Sequence, residues 1–124
     1  MKKIFIHFAE GFEEIEALAP VDILRRAGCD VTVVSMTGRK EVTSSRGIKI
    51  VAEKLFEEMN YAEADMLVLP GGMPGSKNLD EHRGLKDKIV EANKEGKWIA
   101  AICSAPMVLG HFFKQLFGNN FNTT

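Results

Sequence analysis

Apolar and polar positions fall into short, well-separated blocks along the chain. Residues 3–8 are an apolar run of strand length. Over 13–27 the apolar residues recur at helical spacing, and Gly28 stands where a helix stops. Val31-Thr32-Val33-Val34 is β-branched and bounded by polar residues, a second strand. The stretch 40–53 alternates about Ser44-Ser45-Arg46-Gly47, the pattern of a hairpin or ribbon. A continuous apolar run at 65–69 is stopped by Pro70-Gly71-Gly72. A polar amphipathic helix is predicted over 82–95, with Leu85, Ile89, Val90 and Ala92 facing inward. The last clear strand is 98–102, and a helix is predicted from Ser104 to Leu109. Continuous apolar strands alternating with helices specify a parallel sheet covered on both faces. The class is α/β, and the arrangement expected is flavodoxin-like.

The end of the chain breaks this pattern. Four of the eight phenylalanines lie in the last thirteen residues, after which the sequence turns polar. A helix carrying His111-Phe112-Phe113-Lys114-Gln115-Leu116-Phe117 presents an apolar stripe with no later element to cover it. Residues 1–110 therefore read as one α/β domain, incomplete at its C-terminal end, and 111–124 as an atypical Phe-rich tail.

A chain of 124 residues supports one domain and one core. Its net charge of −1 gives no electrostatic reason to expect nucleic acid or an anionic membrane as partner. No apolar run reaches the length of a membrane span. The opening Met1-Lys2-Lys3 resembles the start of a signal peptide, but acids at Glu10, Glu13 and Glu14 follow without a small-residue cleavage site, so a core strand is expected. Two cysteines, Cys29 and Cys103, make no disulfide framework, which points to the cytoplasm.

Cys103 stands at a strand–turn–helix junction, the context of a nucleophile elbow. A helix beginning just beyond it aims unpaired N–H groups and a positive dipole end toward the sulfur. On the first helix, taken at 100° per residue, Ile23, Glu16, Ala27, Pro20, Leu24 and Ala17 share one side. Glu16 thus sits in the apolar stripe, where desolvation favours its neutral acid form and a proton-moving role. Pro20 is a place where the helix kinks and shifts phase. Glu13 and Glu14 read as helix-start acids at the dipole. The Pro70-Gly71-Gly72 turn is either a plain turn or a cradle whose backbone N–H groups meet a developing oxyanion. Cys29 reads as a small buried apolar residue. His7, His82 and His111 have no metal-ligand spacing, so no metal is expected. Arg46 stays open between a surface turn and an anion contact. Ile15 and Leu18 on the polar side of the first helix hint at self-association.

These residues together resemble the ThiJ/PfpI superfamily, within it the branch of the parkinsonism-associated deglycase. The resemblance rests on Glu10-Gly11-Phe12-Glu13-Glu14-Ile15-Glu16-Ala17, on residues 20–28, on Ser45-Arg46-Gly47, on Leu69-Pro70-Gly71-Gly72, and on Ala100-Ala101-Ile102-Cys103-Ser104-Ala105-Pro106. It runs from the N-terminus to about Gly110. By resemblance Cys103 is the reactive thiol, Glu16 its acid partner and Gly72 an oxyanion-side donor, with Gly71 and Ser104 beside them. The resemblance implies a flavodoxin-like homodimer, a small reactive carbonyl as substrate in glyoxalase or deglycase chemistry, and no metal or organic cofactor. It also implies stress sensing or chaperone activity as the alternative without turnover, and many bacterial members are named for thiazole monophosphate biosynthesis. Ser104 replaces the His of the protease-like branch, which demotes peptidase activity. After Gly110 the chain leaves the family pattern, so the family's pocket histidine matches no position, and an inactive truncated homologue is a third expectation.

Overall fold

The computed structural model describes residues 1–117, with side chains through His111. The Phe-rich tail expected over 111–124 therefore lies largely outside the described residues. Five strands form one parallel sheet: β1 (Lys3–Phe8), β2 (Asp30–Ser35), β5 (Lys54–Leu55), β6 (Met66–Leu69) and β7 (Trp98–Ala101). Their spatial order is β5-β2-β1-β6-β7, so the chain reverses its direction of winding between β1 and β6. That is the switch point at which open α/β sheets hold ligands, at the carboxyl ends of the strands. The expected flavodoxin-like α/β class is observed. The expected ribbon is a separate antiparallel pair, β3 (Glu41–Thr43) and β4 (Lys49–Val51).

Strand alternation divides the core in two. Phe5, Leu67 and Leu69 point to one face, where they meet Leu79 of α2 (Gly75–Glu81), Leu85, Ile89 and Ala92 of α3 (Arg83–Lys94), and Val108 of α4 (Pro106–Phe117). Ile4, Ile6, Phe8 and Val68 point to the other, against Ala17 and Val21 of α1 (Glu14–Arg26) and Val42 of the ribbon. The single helix expected over 82–95 is preceded by α2, which the glycine-rich turn conceals in the sequence; His82 separates the two, and its Nδ1 accepts from Leu85 N–H as the cap of α3. Among the described residues no helix is long and apolar enough to cross a membrane.

Helix α1 runs unbroken through Pro20 and presents Ala17 and Val21 to the core. Ile23, expected on the sheet-facing side, is 62% exposed, and Ala27 is exposed too. The physical reason is that α1 lies over β1 and β2 rather than over the whole sheet. An apolar groove of about 340 Å³ is left beside it, lined in part by Ile23, Leu24, Val68, Ala100 and Ile102. Cys29 is half-buried at the edge of this same face.

His7 is fully buried at the centre of β1. Its Nδ1 lies 3.0 Å from the Val68 carbonyl oxygen, which can only accept, so Nδ1 carries the hydrogen. Its Nε2 then accepts from the Tyr61 hydroxyl at 2.8 Å. Burial lowers the His7 pKa to about 4, against the opposing pull of the Val68 carbonyl and with help from nearby His82. The unfolded chain takes up this proton near pH 6.5 and the folded one only near 4, so stability is complete above 6.5 and falls on acidification through that window. The loss attributable to His7 is roughly 3 kcal/mol. Urea unfolding between pH 7 and pH 4 should show it as extra slope in the wild type that His7→Gln lacks; parallel curves would contradict the assignment.

Candidate active site

The site is built where the segments leaving β1, β6 and β7 meet at the carboxyl edge of the sheet. The segment after β1 is held on one side by the ribbon, with Gly11 N–H donating to Thr43 O at 2.8 Å and Ser45 N–H to Phe12 O at 2.8 Å. On the other side it meets the turn after β6: Glu13 N–H donates to Gly71 O at 3.0 Å and Gly75 N–H to Gly11 O at 3.1 Å. Asn78 Nδ2 adds a bond to Glu10 O at 2.8 Å. These are contacts of backbone on backbone. A Cβ on Gly75 would stand 2.8 Å from Gly11 O and 2.9 Å from Phe12 Cα, inside any allowed contact.

Glu13 caps α1, its carboxylate accepting from Glu16 N–H at 2.7 Å. That bond fixes the first turn of the helix and with it the direction of the Glu16 side chain. Glu16 Oε1 is buried and has no hydrogen-bond partner among the described residues. Gly71 is the reason it fits. A Cβ there would overlap Glu16 Oε1 and stand 2.9 Å from Cys103 Cβ and 2.7 Å from Ile102 O. The acid and the thiol-bearing carbon thus flank one small gap that only glycine leaves open.

Cys103 is exposed and has φ +56°, the only non-glycine residue with positive φ among the described residues. Left-handed backbone at a residue with a Cβ costs about 1–2 kcal/mol, and such strain gathers at functional turns. Helix α4 begins three residues later, at Pro106, so a turn of Cys103, Ser104 and Ala105 separates the sulfur from the helix. The Cys103 and Ser104 N–H groups have no acceptor among the described residues.

The Gly72 N–H is placed differently from the expectation of a free oxyanion donor. It donates to Ser104 Oγ at 3.2 Å, and that oxygen also lies 2.7 Å from Ser76 Oγ. Ser76 is fully buried and went unnoticed in the sequence, because nothing local marks a serine whose partner is 28 residues away. Arg46 lies near Glu14, the first residue of α1. Desolvation pushes the neighbouring Glu14 carboxyl up, but its own backbone N–H, the Ser45 hydroxyl at 3.0 Å and the Arg46 charge hold it below the ordinary value. His111 Nδ1 pairs with Asp80 Oδ2 at 2.9 Å, tying α4 to α2. No three His, Cys, Asp or Glu side chains gather as a metal site among the described residues.

Comparison with known proteins places the chain among relatives of similar sequence and fold. The chain is 39% identical over 105 residues to Protein DJ-1 homolog A of Arabidopsis thaliana, covering 85% of this chain and 27% of that protein. It is 36% identical over 109 residues to the Parkinson disease protein 7 homolog of Danio rerio, covering 87% and 58%. It superposes on oxidized Toxoplasma gondii DJ-1 with a TM-score of 0.87 at 36% identity, covering 90% of this chain and 61% of that one. The chain thus spans less than two thirds of the length of each of these proteins. The model of the DJ-1/PfpI family matches residues 2–113, nearly the whole sequence, and the chain belongs to that family.

Proposed function

We propose that this protein is a thiol-dependent enzyme acting on a small reactive carbonyl, of glyoxalase or deglycase type. The observation that carries the reading is the buried, unpartnered Glu16 Oε1 beside the gap that also borders Cys103. The Cys103 thiolate adds to an aldehyde carbon: the S–C bond forms and the carbonyl π pair moves onto oxygen. The Ser104 N–H, which has no acceptor among the described residues, receives that oxygen, whereas the Gly72 N–H is already bonded to Ser104 Oγ. Glu16 then carries a proton from the first carbon to the second, and one water releases the product from sulfur. For a 2-oxoaldehyde the sum is hydration to a 2-hydroxy acid. One carbon is oxidised and its neighbour reduced, so no external oxidant or cofactor enters. A cytoplasmic setting, where thiols stay reduced, suits this chemistry.

Methylglyoxal turnover tests the reading. Wild type should convert it, Cys103→Ala should abolish conversion, and Glu16→Gln should slow it by about 10²-fold or more. Absence of turnover in wild type, or equal rates in all three, removes the proposal.

A second reading is favoured by the exposure of Cys103 and by a similar structure being that of an oxidized protein. Peroxide would oxidise the sulfur to sulfinate, each of two equivalents delivering one oxygen and leaving as water. Mass spectrometry after mild peroxide should then find two added oxygens on Cys103; an unmodified Cys103 counts against sensing.

The proposed homodimer rests on Ile15 and Leu18, exposed by 75% and 41% on the outer side of α1. Sedimentation should give a dimer that Ile15→Glu converts to monomer, and a wild-type monomer would dispose of it.

A further inference from the structure

The hydroxyl pair behind the thiol has more bonds to make than the two distances alone reveal. Ser104 Oγ accepts from Gly72 N–H at 3.2 Å and lies 2.7 Å from Ser76 Oγ. Each hydroxyl carries one hydrogen, and only one of the two can lie between them. Two arrangements remain. If Ser104 donates to Ser76, the Ser76 hydrogen is stranded, because Ser76 is fully buried and its hydroxyl has no other partner among the described residues. A buried donor without an acceptor is the costly outcome. If Ser76 donates to Ser104, every buried group is satisfied. The Ser104 hydrogen is then free, on a residue that is only half-buried and next in the chain to the exposed Cys103.

We infer that Ser76 is a positioning residue: by donating to Ser104 Oγ it turns the Ser104 hydroxyl hydrogen outward as a side-chain oxyanion donor beside Cys103. The Gly72 N–H serves the same end. With two donors directed at it, Ser104 Oγ is polarised and its own O–H is a stronger donor than a lone serine's. The bond is used when the sulfur adds to the carbonyl and the π pair settles on oxygen. Ser104 gives a hydrogen bond to that oxygen and transfers no proton. The chain thus places a hydroxyl where the backbone N–H of Gly72 was expected, and Ser76 decides which way it points.

The use in catalysis rests on the carbonyl-addition reading; the hydrogen arrangement does not, and two measurements keep them apart. Neutron diffraction from perdeuterated wild-type crystals should show deuterium on Ser76 Oγ aimed at Ser104 Oγ. Deuterium on Ser104 aimed at Ser76 overturns the inference, whether or not the protein turns over methylglyoxal. In turnover, Ser76→Ala and Ser104→Ala should each lower kcat about tenfold with KM nearly unchanged. The double variant should be no slower than Ser104→Ala alone, because Ser76 acts only through Ser104. Wild-type kcat in Ser76→Ala, or losses that multiply in the double variant, would show that Ser76 has no such role. Thermal melting of each variant separates lost positioning from lost folding, since a merely structural Ser76 would lower Tm without lowering kcat at a temperature where the variant stays folded.

Discussion

The organisation of the site depends on one steric condition, the contact of two backbone segments at the carboxyl edge of the sheet with no side chain between them. The segment after β1 and the turn after β6 touch through Gly11, Gly71, Gly72 and Gly75. Side chains at Gly71 or Gly75 would separate the segments by the width of a methyl group. Glu16 would then move away from Cys103, because α1 is carried by the same segment that Gly71 and Gly75 hold. The ribbon presses that segment from the opposite side, so its position is fixed twice. A short helix cap, Glu13 onto Glu16 N–H, converts the placement of the backbone into the direction of one carboxyl group.

The energies are small and unevenly placed. The left-handed Cys103 costs about 1–2 kcal/mol, and leaving a buried carboxyl oxygen without a partner costs about 1–3 kcal/mol. Both costs fall at the gap that borders Cys103; among the described residues the other buried side-chain oxygen without a hydrogen bond is Asp80 Oδ1, which has the Lys86 ammonium 3.1 Å away. His7, also buried and titratable, shows the contrast: both ring nitrogens are bonded, and its environment holds it neutral. His7 is fully buried and locked into the core, whereas half-buried Glu16 keeps one buried oxygen without a hydrogen bond beside a gap. That difference supports the proposed role of Glu16 in moving a proton.

Most of the architecture was legible along the chain. The runs at 3–8, 31–34, 65–69 and 98–102 became strands because continuous apolar sequence of that length satisfies a sheet buried on both faces. Helix α1 ended before Gly28 as the stop signal indicated. The short elements were not legible: β5 is two residues long, and α2 opens inside a Pro-Gly turn whose composition reads as loop. The apolar stripe of α1 coincides only in part with its buried side. An apolar stripe records which residues can face a core, but Ile23 points over a groove that α1 does not cover.

Sequence by itself determined the class of fold, the elbow at Cys103 and the presence of an acid in an apolar stripe, because these follow from periodicity and from local backbone rules. Only the tertiary structure decided that Glu16 and Cys103 border the same gap, that Gly72 spends its N–H on Ser104, and that Ser76 stands behind both. The physical reason is range. Helix and strand patterns act over a few residues, whereas the bonds that complete the site join groups 28 and 32 residues apart, whose meeting depends on how the whole sheet is wound.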